Sequence, residues 1–209
     1  MLTKNIKFKN FLRKKNSKIS KILRNIINDK TLIEKYPVLK SMNKDYQYSY
    51  QKKKIKLFKR FSKVNIVGMG GSILGAETIY NFLKYKINKK FNFYNNLNFQ
   101  NIPKTNEKNL NIVISKSGNT LETISNFNVL LQKQNKNKNI ILCENKKNFL
   151  KSLGNKLKAE IFEHKNYIGG RYSVLSEVGM LPAELMGLNE KKFKRFNHLI
   201  NNKYFINCL

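Results

Sequence analysis

The chain of 209 residues has only two cysteines, Cys143 and Cys208. They are too few and too scattered for a disulfide scaffold or a zinc cluster. No run approaches the roughly 18 consecutive apolar residues of a membrane-spanning helix. Acidic residues are also scarce: 12 Asp and Glu stand against 42 Lys and Arg, giving a net charge of +30. With a pI near 10.1, that balance ordinarily puts nucleic acid first among the partners. Arginine is itself rare, however, at Arg13, Arg24, Arg60, Arg171 and Arg195 alone. Surfaces dedicated to nucleic acid favour its planar, bidentate fork. Lysine and asparagine dominate instead, asparagine at about one residue in seven. Both have AT-rich codons, so a biased genome accounts for much of the charge, and nucleic acid is not an expected partner. With 41% hydrophobic residues, the chain is not a disordered polycation either. The expectation is a soluble, cytoplasmic globular domain without a membrane partner.

Along the chain, residues 1–62 read as a basic, helical amino-terminal segment. Phe8, Phe11, Leu12, Ile19, Ile22, Leu23, Ile26 and Ile27 recur mostly at spacings of three and four, as a one-sided helix requires. The segment lacks the Arg and Ser enrichment of an organellar presequence and the apolar core of a secretory signal. Tyr36-Pro37 breaks it, and Asp45 to Tyr50 reads as a surface connection.

From Val64 the pattern changes. A short apolar run, Val64 to Val67, ends in Gly68-Met69-Gly70-Gly71-Ser72 and is followed by Ile73, Ala76, Ile79, Phe82, Leu83 and Ile87 at helical spacing. The same strand–turn–helix unit recurs with Asn111 to Ile114, the polar turn Ser115 to Thr120, and Leu121, Ile124, Phe127 and Leu131. Further strands are expected at Phe91 to Tyr94, Asn139 to Cys143 and Glu160 to Phe162. Strands alternating with helices predict a three-layer α/β sandwich over residues 63–209, with a mainly parallel sheet covered on both faces. Ligands in such folds sit beyond the carboxyl ends of the strands, where both turns lie.

The turn Ser115-Lys116-Ser117-Gly118-Asn119-Thr120 places three hydroxyls, a lysine and a flexible glycine ahead of an incoming helix. Free amides and the dipole at a helix start favour a dianion such as a phosphate monoester. The same residue types also serve as ordinary helix caps with nothing bound, and Asn119 with Glu122 has the spacing of a capping pair. Gly68-x-Gly70-Gly71-Ser72 departs from G-x-G-x-x-G, and no acidic residue near position 90 is available to hold a ribose. A dinucleotide is therefore disfavoured, and the glycines suit close approach of backbone amides to a small ligand. In Gly169-Gly170-Arg171-Tyr172-Ser173-Val174-Leu175-Ser176, paired glycines precede a permanent cation suited to an oxyanion formed during reaction. A purely structural loop arginine is the alternative. His164 and His198 lack metal-ligand spacing and read as surface or partly packed residues, and Cys143 as a small buried hydrophobe.

In order and separation, the three glycine- and serine-bearing segments resemble the signatures of the glucose-6-phosphate isomerase family. The first two also belong to the broader class of sugar-isomerase (SIS) domains, and Gly169 to Leu181 is the specific one. The resemblance runs from about Val64 to Gly187. It implies that Ser115, Ser117 and Thr120 hold a sugar phosphate with help from Lys116. It also implies that Gly71, Ser72 and Gly170 line the sugar and that Arg171 stabilises an enediolate. The implied reaction interconverts glucose 6-phosphate and fructose 6-phosphate, by ring opening and proton transfer between C2 and C1, without metal or organic cofactor.

The resemblance also implies a second SIS-type domain that supplies the base glutamate, with a ring-opening histidine and a carboxyl-terminal lysine likewise from beyond the region it covers here, and no glutamate here matches the base motif. The chain is therefore expected to be an amino-terminal half that acts as a homodimer or with a complementing second-half chain. Little turnover is expected alone, because a positioned base contributes about 10²–10⁴-fold. The alternatives are a sugar-phosphate sensor without catalysis and a nucleic-acid protein using the amino-terminal arm.

Overall fold

The computed structural model describes residues 21, 22, 25, 31–97, 108–133 and 137–195. Most of the amphipathic arm read between Phe8 and Ile27, together with His198 and Cys208, lies outside them. The chain divides into two compact units, Met1–Tyr36 with Arg195–Leu209, and Pro37–Lys194. In the first, Lys21, Ile22 and Asn25 are helical and α1 spans Leu32–Lys35.

The second unit is built on five strands: β1 (Lys63–Gly68), β2 (Lys90–Tyr94), β3 (Leu110–Ile114), β4 (Lys138–Cys143) and β5 (Glu160–Glu163). All neighbours are parallel, in the order β2-β1-β3-β4-β5. Each strand falls where the sequence places one, because β-branched runs bounded by glycine or polar turns leave little choice of element. Parallel neighbours need crossovers. These are supplied by α3 (Leu74–Leu83), α4 (Leu121–Lys133) and α5 (Phe149–Lys156). The remaining helices are α2 (Lys52–Phe58) and α6 (Glu177–Leu185).

The pleat sorts side chains onto two faces. Val64, Ile66, Ile112, Ile114, Ile140 and Leu142 pack with Ile55 of α2, Ala76 and Ile79 of α3, and Val178 and Leu181 of α6. Val67, Val113, Ile141 and Cys143 pack with Phe127 and Leu130 of α4 and Leu150 of α5. Cys143 is buried and free, as a small hydrophobe should be. All nine residues of α6 are buried, so this helix is a core element with no solvent face.

A polar ladder that residue periodicity did not suggest runs through the sheet. Parallel register aligns Asn92, Asn65, Asn111 and Asn139 across four strands. Each amide donates to the next. Asn92 Nδ2 reaches Asn65 Oδ1, Asn65 Nδ2 reaches Asn111 Oδ1, and Asn111 Nδ2 reaches Asn139 Oδ1, all at 2.9 Å. Asn137 adds a bond to Asn111 Oδ1 at 3.2 Å. Asn65 and Asn111 are fully buried; the ladder is what makes their polarity tolerable inside the sheet.

The segment read as a surface connection is partly core. Tyr46 and Tyr50 are buried, because their hydroxyls reach buried carboxylates of α6. Tyr46 Oη donates to Glu177 at 3.0 Å and Tyr50 Oη to Glu184 at 2.9 Å. Among the described residues no helix is long and apolar enough to cross a membrane.

Candidate functional site

Strand order fixes where a ligand can bind. From β1 the chain crosses to β2 on one side, and from β3 it crosses to β4 on the other. The helices that follow β1 and β3 thus diverge, opening a crevice at the carboxyl ends of these neighbours. Gly68 closes β1 in register with Ile114, the last residue of β3. The glycine turn and the Ser115 to Thr120 loop therefore flank that crevice.

Three hydroxyls converge in the loop. Ser115 Oγ lies 2.8 Å from Thr120 Oγ1 and 3.5 Å from Ser117 Oγ. Ser115 Oγ accepts from Gly118 N–H at 3.2 Å, and Ser117 Oγ accepts from Asn119 N–H at 3.2 Å. They stand at the start of the 13-residue α4, whose first amides lack intrahelical acceptors. Gly118 has φ +68, and a Cβ there would lie 2.1 Å from Asn148 Oδ1. Only glycine permits both that turn and the close seat on Asn148.

The loop is braced from α5. Leu150 N–H donates to Gly118 O at 3.0 Å, and Phe149 N–H to Asn119 Oδ1 at 2.9 Å. Asn119 therefore caps the neighbouring helix α5, and the pairing with Glu122 expected from spacing is replaced by this tertiary bond. Asn148, which holds α5 by accepting from Lys151 N–H at 2.8 Å, was missed by sequence reasoning; its signal was an asparagine just ahead of a helical run. Lys116 turns its ammonium to Asn166 O at 2.7 Å, with Glu144 at 3.7 Å. The Lys146 ammonium beside Glu144 holds that carboxyl below its usual range.

The other wall joins two sequence-distant turns. Gly70–Ser72 and Gly170–Leu175 each form a 3-10 turn. A Cβ on Gly71 would lie 2.1 Å from Gly170 O, so the two backbones are in direct contact. Ser173 Oγ reaches both Gly71 O at 3.1 Å and Gly170 O at 2.7 Å. Ser176 Oγ in turn donates to Ser173 O at 2.6 Å and caps α6. Gly71, Ser72, Gly170 and Arg171 are thus brought together, with Arg171 exposed on the surface of the turn. Ser173 lies inside the quoted motif, but only the fold reveals it as a tie between the two turns.

Beneath this turn lies a buried polar cluster that no motif or spacing foreshadows. Glu177 accepts from Tyr46 Oη and from Ser49 N–H, both at 3.0 Å; burial pushes its pKa up. Lys194 sits with its ammonium 4.4 Å from the Tyr46 ring centroid and 4.6 Å from that of Tyr48. Burial pushes its pKa down to about 8. His164, expected at the surface or only partly packed, is only 1% exposed. It follows β5 directly, and its burial favours the neutral ring.

A pH effect follows from Lys194. Its folded pKa lies below its ordinary value, so the unfolded chain binds more protons between about pH 8 and pH 10. Lys194 therefore adds stability as pH rises through that window. Urea unfolding at pH 7 and pH 10 is expected to show Lys194→Met lacking about 1–3 kcal/mol of that rise relative to the parent. Parallel pH profiles of the two proteins would contradict it.

Comparison with known proteins agrees with this architecture. The family model for phosphoglucose isomerase matches residues 27–207. The chain is 30% identical over 156 residues to a glucose-6-phosphate isomerase of Methanocaldococcus jannaschii, covering 71% of this chain and 39% of that protein. It is 36% identical over 152 residues to that of Mycoplasma genitalium, covering 65% of this chain and 35% of the relative. The chain thus spans less than half the length of these curated relatives.

Among solved structures, a hypothetical protein of Thermus thermophilus superposes with a TM-score of 0.62 at 18% identity, over 90% of this chain and 48% of that one. A tagatose-6-phosphate ketose/aldose isomerase of Escherichia coli gives 0.53 at 13% identity, over 84% and 48%. Both likenesses concern the fold. With the family model spanning 27–207, the chain belongs to the phosphoglucose isomerase family.

Proposed function

We propose that this chain forms the hexose 6-phosphate-binding half of an aldose–ketose isomerase that interconverts glucose 6-phosphate and fructose 6-phosphate. The observation that carries this reading is the convergence of Ser115, Ser117 and Thr120 hydroxyls at the start of α4, beside the crevice between β1 and β3. Hydroxyl and amide donors gathered there suit the outer oxygens of a phosphate monoester. Lys116 contributes chiefly through its backbone, since its ammonium is engaged with Asn166 and Glu144. Gly71, Ser72 and Gly170 then line the sugar.

Proton transfer between C2 and C1 puts negative charge on the substrate oxygens. Arg171, on a turn clamped by Ser173, is the cation that stabilises that charge in this reading. A base from a second sugar-isomerase domain, in a longer chain or a complementing one, completes the reaction, and the cytoplasm is the compartment such a substrate implies.

Calorimetry with fructose 6-phosphate tests the grip. Ser117→Ala is expected to weaken binding about 10- to 100-fold, the range for a hydrogen bond to a charged group. Arg171→Ala should leave fructose 6-phosphate nearly unaffected yet weaken an enediolate mimic strongly. Equal indifference of both ligands to Arg171→Ala favours a sensor over an enzyme. Unchanged affinity in Ser117→Ala removes the reading altogether.

A further inference from the structure

Lys116 stands between Ser115 and Ser117 in the hydroxyl loop, yet its ammonium leaves that loop. It donates to Asn166 O at 2.7 Å and lies 3.7 Å from the Glu144 carboxylate. Glu144 holds the same residue by its backbone as well, its N–H donating to Lys116 O at 2.9 Å. The other oxygen of Glu144 pairs with Lys146. The Glu144 side chain is only 13% exposed, so its attraction for Lys116 is less screened than that of a fully exposed pair.

The far end of this lysine rests on a short, well-anchored segment. Asn166 belongs to a turn closed by Ile168 N–H, which donates to Lys165 O at 3.1 Å. His164 and Ile168, on either side of the turn, are buried, and the Lys165 ammonium donates to Gln47 O. Gly169 follows and opens the 3-10 turn that carries Arg171, where Tyr172 N–H donates to Gly169 O at 3.0 Å. A bond from Lys116 to Asn166 therefore crosses from the hydroxyl loop to the segment that leads into the cation. An ammonium donor makes that bond stronger than a neutral one.

We propose that the Lys116 ammonium is a positioning group for Arg171, a strut from the phosphate grip to the turn at 165–168, held in place by the Glu144 carboxylate. This rests on the reading of the Ser115 to Thr120 loop as a phosphate grip and gives its lysine a task other than holding the phosphate. The distinction has a kinetic meaning. A lysine aimed at the phosphate stabilises substrate and transition state alike, whereas one that orders Arg171 favours the state with charge on the sugar oxygens.

Calorimetry of the full 209-residue chain with fructose 6-phosphate and with a phosphorylated hydroxamate, which imitates the enediolate, tests this. Lys116→Met is expected to weaken the hydroxamate about fivefold or more and fructose 6-phosphate less than about twofold. Lys116→Arg, which keeps a cation and its donors, should restore the hydroxamate to within about twofold of the parent. In the Lys116→Met background, Arg171→Ala should cost the hydroxamate less than it does in the parent, because both changes act through one group. Glu144→Gln is expected to fall between the parent and Lys116→Met. Lys146→Met, which removes the other ammonium on Glu144, should bind within about twofold of the parent.

Equal weakening of both ligands in Lys116→Met makes the lysine a phosphate ligand and overturns the strut, as does unchanged affinity for both. Amide hydrogen exchange adds an arm that needs no ligand. The N–H groups of Ile168 and Tyr172 are expected to exchange about fivefold faster or more in Lys116→Met than in the parent or Lys146→Met. Should the parent bind neither ligand, the phosphate reading falls and exchange decides the strut: faster exchange supports it, and unchanged exchange overturns it.

Discussion

Gly71→Ala is expected to lower the stability of the Pro37–Lys194 unit by about 3 kcal/mol or more and to abolish the sugar-phosphate binding proposed for this chain. The added Cβ would stand 2.1 Å from Gly170 O and 2.3 Å from its carbonyl carbon, and neither backbone atom can yield like a flexible side-chain tip. The two turns must part, and the Ser173 bonds that tie Gly71 to Gly170 part with them. Arg171 is then no longer held against the glycine turn. A thermal midpoint lower by about 6–12 °C is the corresponding scale for a unit of this size. Gly169→Ala is the control. Its Cβ meets only Tyr172 Cδ2 at 3.6 Å, an ordinary contact, so little change is expected. Parent-like melting and binding in Gly71→Ala would show that the two turns are not clamped.

The second large effect lies in the sheet. Asn111→Leu removes three hydrogen bonds at once, to Asn65, Asn139 and Asn137, from a fully buried position. Urea unfolding should show a loss of about 2–4 kcal/mol, since a buried group stripped of its partner bears most of its desolvation cost. The sign of the coupling is as informative as the size. Replacing Asn65, Asn111 and Asn139 together by valine removes donors and acceptors in pairs, so the triple variant is expected to be less destabilised than the sum of its single changes. Strict additivity of the three would mean that the amides act independently.

The sequence revealed the strands and the crossovers α3 and α4, though not α5, because the parallel core needs continuous apolar runs: β3 is buried at every residue, and so is β4 after its first. The loop around Ser115 was equally legible, since hydroxyls, glycine and a helix start leave a local signature. What escaped was set by distant partners. The aligned asparagines looked like codon bias, and only register shows them hydrogen-bonded to one another. Tyr46 and Tyr50 looked like a polar connection because the carboxylates they serve, Glu177 and Glu184, lie more than 130 positions away. Asn119 sits at capping distance from Glu122, yet a tertiary amide, Phe149 N–H, supplied the better donor. His164 gives no sign of its burial, because the space it fills is made by elements far from it in sequence.

The clamp between Gly71 and Gly170 joins positions about a hundred residues apart, and this bears on how the molecule is born. A ribosome threads the glycine turn out long before it has polymerised Ser173. During that interval β1 can gain β2 and β3, but one wall of the crevice does not yet exist. Long-range closures of this kind slow folding. The nascent polypeptide thus lacks one wall of the proposed hexose-phosphate site until Ser173 has left the exit tunnel.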